Sequence, residues 1–118
     1  TDTPGIDKAK HGATVLGGGP TVTHGTCNHP LVIQRLVETA TAANLPLQHE
    51  SSSRFSGTDT DKIFTIRDGI PSGLVSLPLR YMHTPVEMVS LKDIRRAGRL
   101  LAEFAAQLDD KFMEKLAW

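Results

Sequence analysis

Apolar and polar positions fall in short blocks along this chain, and the spacing within the blocks switches between a period of two and a helical period. Thr21 to His24 is rich in β-branched residues and reads as a strand. Asn28-His29-Pro30 opens a helix, with Asn28 or His29 at the N-cap and Pro30 in the first turn, where a missing N–H costs nothing. Ile33, Leu36, Val37 and Ala40 follow at helical spacing as its buried stripe, and Asn44 with Pro46 closes it. Leu47 to Ser51 reads as a second strand, and residues 51–57 as a polar loop. Thr58 then has the look of an N-cap with Asp61 as its capping partner, and Ile63, Phe64 and Ile66 carry a second helix to Asp68-Gly69. A strand from Gly73 to Leu77 runs on past Pro78 to Arg80, Tyr81 and His83. Ser90 with Asp93 repeats the capping pattern ahead of Leu91, Ile94, Ala97, Leu101, Phe104, Ala105 and Leu108, a long amphipathic helix. Phe112, Leu116 and Trp118 extend that helix or dock as a tail.

Strand, helix, strand, helix, strand, helix is the order that favours an α/β arrangement of layers with a mostly parallel sheet. Residues 1–118 read as one domain or the back part of one. The run Gly17-Gly18-Gly19-Pro20 lacks the spacing of either phosphate-binding fingerprint, so a bend or bulge between strands is the expectation there.

Charge changes the picture by subtraction. The 118 residues carry 13 Lys plus Arg against 13 Asp plus Glu, a balance that argues against a nucleic-acid or membrane-surface role. No apolar run approaches the length of a bilayer span. The single cysteine, Cys27, excludes an internal disulfide and points to a reducing, cytoplasmic setting. A first residue other than Met suggests a processed or truncated chain.

Four groups of residues have candidate chemistry. His83 precedes Thr84-Pro85, and a proline pushes the residue before it toward extended geometry. His83 and Glu87 are therefore no helical zinc pair. What remains is an imidazole at the carboxyl end of a strand, where open α/β sheets place ligands. Asp59 and Asp61 sit at a helix start, where capping explains Asp61 better than Asp59. His24, Cys27 and His29 form a local cluster of soft ligands that lacks the fourth member of a structural zinc site. Glu50 and Glu87 are the pair a glycosidase reading would use, although nothing in their spacing brings them together.

Several stretches occur together in a fixed order: Asp2-Thr3-Pro4-Gly5, Leu16 to Pro20, Asn28-His29-Pro30, Leu47 to Glu50, Gly57 to Asp61, Gly69-Ile70-Pro71 and Leu79 to Glu87. Together they resemble the C-terminal part of the TET-type metallo-aminopeptidases, a family also labelled cellulase M-like, endoglucanase-like or deblocking aminopeptidases. The resemblance implies a three-layer α/β catalytic domain of the two-zinc exopeptidase type, with a mostly parallel sheet and flanking helices. It implies two divalent metal ions, zinc or cobalt, and places one ligand in this chain, His83. The other metal ligands, the general base and a β-rich insert would lie upstream of Thr1. Gly57, Thr58 and Asp59 would border the pocket for the substrate's side chain. The complete enzyme would remove N-terminal residues from peptides through a metal-activated water and assemble as a homo-oligomer, from dimer to dodecamer. This segment alone would be inactive. An endoglucanase-like glycan hydrolase, acting through carboxylates, and a non-catalytic module that binds a peptide or a partner are the alternatives.

Overall fold

The β-branched block Thr21–His24 forms β1, the middle strand of a three-stranded sheet. The computed structural model describes residues 4–5, 14–25, 28–51, 58, 60–63, 65–66 and 69–116. Cys27, Gly57, Asp59, Phe64, Asp68 and Trp118, all named above, lie outside them. β2, Gln48–Ser51, pairs parallel to β1 with Val22 opposite His49. β3, Val75–Ser76, pairs antiparallel on the other side, so Val75 faces Val22 as well and Val22 is fully buried.

Between β1 and β2 runs α1, Pro30–Ala42. Its start matches the pattern: His29 is the N-cap, extended at φ −68° and ψ 126°, and its Nδ1 accepts a hydrogen bond from Leu31 N at 3.1 Å. Its end matches too. Asn44 takes φ +54°, a left-handed value that Asn tolerates, and Leu45 N reaches back to Ala40 O at 2.8 Å. Val32, Ile33, Leu36 and Ala40 are buried against the sheet, with Val37 at the margin. Removing a Leu or Ile side chain of this kind from water contributes about 1.5–3 kcal/mol.

The second half of the core comes from the C-terminal helices α3, Leu91–Ala106, and α4, Asp110–Lys115. Leu100, Phe112 and Leu116 join the α1 cluster. Asp109 caps α4 by accepting from Phe112 N at 2.7 Å, which sets Phe112 edge-on to Phe104 and under the Arg35 guanidinium, 4.5 Å from the ring centre.

Four expectations change. The chain is α/β, but its described sheet is mixed in the order β2-β1-β3, not mostly parallel. A parallel return needs a full crossover, usually a helix, and α2 between β2 and β3 is one turn long, Thr60–Ile63. That short helix is the second change. Ile63 and Ile66 are exposed and make no buried stripe.

The third concerns α3, which turns Asp93, Leu100 and the half-buried Phe104 inward. Most of the stripe read from its sequence, Leu91, Ile94, Leu101 and Leu108, faces outward instead.

The fourth is the role of Asp93. Ser90 is the N-cap residue of α3 but makes no side-chain capping bond, and the Asp93 carboxylate points elsewhere. Gly17 N donates to its Oδ2 at 2.8 Å and Gly19 N to its Oδ1 at 2.9 Å. The glycine run thus cradles an anion, and that anion is the chain's own fully buried carboxylate. Gly19 has no substitute: its φ is +104°, and an added Cβ would lie 2.4 Å from Pro46 O. Arg96 Nη1 completes the clasp, donating to Gly17 O at 2.9 Å.

No helix among the described residues is long and apolar enough to cross a membrane.

Candidate functional site

Past Pro78 the chain forms a second, two-stranded sheet, in which β4, Leu79–Arg80, pairs antiparallel with β5, Met88–Val89. His83 sits in the turn between them. It is not helical, as expected, but it belongs to a hairpin tip rather than to the end of a strand in the main sheet.

The tip is held by side chains bonding to backbone. Tyr81 at φ +57° and His83 at φ +62° both occupy the left-handed region, a conformation that costs a non-glycine residue about 1 kcal/mol or more. Thr84 Oγ1 donates to Tyr81 O at 2.6 Å, and Val86 N donates to Thr84 Oγ1 at 3.3 Å. His83 N donates to Glu87 Oε1 at 2.7 Å, a charge-assisted bond. Glu87 is therefore the residue that fixes the backbone beneath the imidazole.

His83 lines a cleft of about 500 Å³ with Thr21, Glu50, Thr58, Ser76 and Met82. The register explains the gathering. Thr21 lies opposite Gln48 and Ser76, and Thr23 lies opposite Glu50, so these residues share the sheet face turned away from Val22 and α1. Thr23 Oγ1 donates to Glu50 Oε1 at 2.8 Å and steadies the carboxylate. The Thr21 hydroxyl is buried and has no hydrogen-bond partner among the described residues.

Of the expected site residues, His83 and Thr58 line this one cleft, whereas Gly57 and Asp59 fall outside the described residues. A catalytic zinc takes three protein ligands and an open position. Among the described residues no three His, Cys, Asp or Glu side chains converge to hold a metal ion. The described residues alone do not make a metal centre.

The other candidate groups separate. Within the His24, Cys27 and His29 cluster, His29 is spent on the α1 cap, and His24 Nε2 shares a 2.8 Å hydrogen bond with His49 Nδ1 across the parallel ladder. Glu50 is in the cleft wall and Glu87 is engaged by the His83 backbone outside that wall, so the two do not form a facing acid pair. Sequence reasoning missed the pairing of Thr23 with Glu50. Its signal was present in the alternation of Thr21, Val22 and Thr23, which puts two hydroxyls on the face opposite the core.

Known proteins match along nearly all of this architecture. An aminopeptidase from the archaeon Desulfurococcus kamchatkensis superposes with a TM-score of 0.87 at 30% identity, over 100% of this chain and 34% of its own. A TET aminopeptidase from a marine sediment Thaumarchaeota archaeon does so with a TM-score of 0.86 at 32% identity, over 99% and 33%. The lysyl aminopeptidase of Pyrococcus furiosus is 33% identical over 93 residues, 79% of this chain. The chain spans 27% of that relative's length, and so about a quarter to a third of the proteins it matches. The family model described as M42 glutamyl aminopeptidase matches residues 1–100, and the chain belongs to that family.

Proposed function

We propose that this chain is the C-terminal segment of the catalytic domain of a metal-dependent aminopeptidase that releases N-terminal residues from peptides. The observation that carries the reading is the single cleft that gathers His83 and Thr58 from separate parts of a chain of this family. His83 would supply one ligand to a centre of two divalent ions, zinc or cobalt. The remaining ligands and the general base would come from residues outside this segment. Gly57, Thr58 and Asp59 would border the substrate. In the complete domain a further layer would cover the sheet face opposite α1, giving three layers, and strands from outside this segment would make the mixed sheet mostly parallel. The enzyme would work in the cytoplasm as a homo-oligomer.

The test is release of free amino acids from unblocked peptides by the complete enzyme, before and after chelation. Chelation should abolish release and zinc or cobalt should restore it. His83→Ala should lower both the metal bound per chain and the turnover by about tenfold or more. Full activity that survives chelation would end the reading.

A further inference from the structure

Among the described residues, the carboxylate and cationic side chains that line the His83 cleft are unevenly divided. Glu50 supplies a carboxylate, and no lysine or arginine is found among the described residues that line it. The described wall also includes hydroxyls, among them those of Thr21, Thr58 and Ser76, and hydrocarbon, chiefly from Leu74, Leu77 and Met82. We infer that Glu50 sets the charge preference of this cleft, admitting N-terminal residues with neutral or cationic side chains and rejecting anionic ones. This rests on the aminopeptidase reading above and adds the substrate class to it.

Three features support the assignment. The Glu50 carboxylate is oriented, because Thr23 Oγ1 holds its Oε1 at 2.8 Å and Thr23 is itself buried. One bond to one oxygen leaves Oε2 able to accept from an ammonium or guanidinium. The apolar wall suits the aliphatic stem of a long cationic side chain as well as a neutral aliphatic one. An acidic side chain would meet a like charge at Glu50 and find no lysine or arginine in the described wall, and such repulsion is a common source of specificity. Glu50 is exposed, so solvent screens the effect and the discrimination should be about tenfold rather than thousands.

The experiment compares kcat/KM of the complete, metal-loaded enzyme on the p-nitroanilides of lysine, leucine and glutamate. The glutamyl compound should be the poorest of the three. Glu50→Gln should raise the glutamyl-to-lysyl ratio about tenfold, chiefly through KM, and Glu50→Lys should carry the preference over to glutamate. The wild-type ratio should also shrink as salt is added, which a purely steric pocket would not show. Thr23→Val should move the ratio part of the way, and Thr23→Ser should restore it, as a positioning residue requires. An unchanged ratio in Glu50→Gln, or a wild type that prefers glutamate, overturns the inference while leaving the aminopeptidase reading intact. No metal-dependent release from any of the three removes both.

Discussion

The β1-α1-β2 unit and the hairpin that carries His83 solve the same problem, fixing a short strand, by opposite means. The first is fixed by what it buries: Val22, Ile33, Leu36 and Ala40 leave water together, and its left-handed residues, Gly25 and Asn44, lie in the turns at the two ends of α1. The hairpin buries little. Tyr81, Met82, Val86, Met88 and Val89 are all exposed, and the tip keeps its shape through side chains bonded to its backbone at two left-handed residues. Rigidity from burial is cooperative and resists single changes in polar groups. Rigidity from a few polar bonds can be removed one bond at a time, and here it holds the turn that carries His83.

That contrast fails if a core truncation and a hairpin truncation cost the same. Leu36→Ala should destabilise the chain by about 2–5 kcal/mol, because the side chain is surrounded and the cavity can only partly collapse. Val86→Ala, at 66% exposure, should change stability by less than about 0.5 kcal/mol. Urea unfolding followed by far-UV circular dichroism would measure both, and equal losses would refute the division.

Asp93 tests a mixed case, a buried polar clasp. Asp93→Ala removes the acceptor of Gly17 N and Gly19 N and leaves the buried Gly19 donor without a partner, so about 1–3 kcal/mol should be lost. Arg96 is 29% exposed and can turn to water, which keeps the loss below that of a fully buried ion pair. Asp93→Asn should cost less, since Oδ1 can still accept. If the alanine variant melts like the wild type, the glycine run is shaped by its own turn and not by the carboxylate.

The same division explains what could be read from the sequence. The α1 cap at His29, its stripe and its Asn44 stop were legible because helical period and cap chemistry are local and agreed with the tertiary burial. β1 and β2 were legible too, but β3 is shorter than the strand read from Gly73 to Leu77, and β4 and β5 were not read at all. The helix expected from Thr58 starts at Thr60 and runs one turn, because Ile63 and Ile66 have the right spacing and no surface to pack on. On α3 the stripe with Leu91, Ile94, Leu101 and Leu108 competes with the one through Asp93, Leu100 and Phe104, and the sequence favours the more apolar of the two. A partnership across 76 residues between Gly17 and Asp93 decides the matter, and no spacing rule reports it. At the site, the resemblance singled out His83. The left-handed backbone that presents it, the bond from Glu87 and the buttress from Thr23 to Glu50 are long-range or conformational facts that became visible only in the fold.

Glu87 separates aim from stability. Glu87→Ala should cost about 0.5–1.5 kcal/mol at most, the worth of one exposed charge-assisted bond, yet loosen the backbone under His83. Metal affinity of the complete enzyme should therefore fall by about tenfold, measured by competition with a chromogenic chelator, while the melting temperature moves little. Glu87→Gln keeps an acceptor and should fall between. A variant that loses stability and affinity in parallel would place the hairpin in the same class as the core.

The smallest effect expected has the opposite sign. Tyr81 is held at φ +57° and is 38% exposed, so glycine there would be relieved of the left-handed penalty. Against that gain stands the greater freedom that glycine gives the unfolded chain, roughly 0.5–1 kcal/mol. Tyr81→Gly should thus be neutral or stabilising by less than about 1 kcal/mol, whereas Tyr81→Ala, which keeps a Cβ and therefore the strain, should destabilise slightly. The ordering of the two variants is the decisive quantity, because both remove the ring and only one removes the strain. If alanine proves the more stable, the left-handed turn is set by hydrogen bonding strongly enough to make its backbone cost irrelevant.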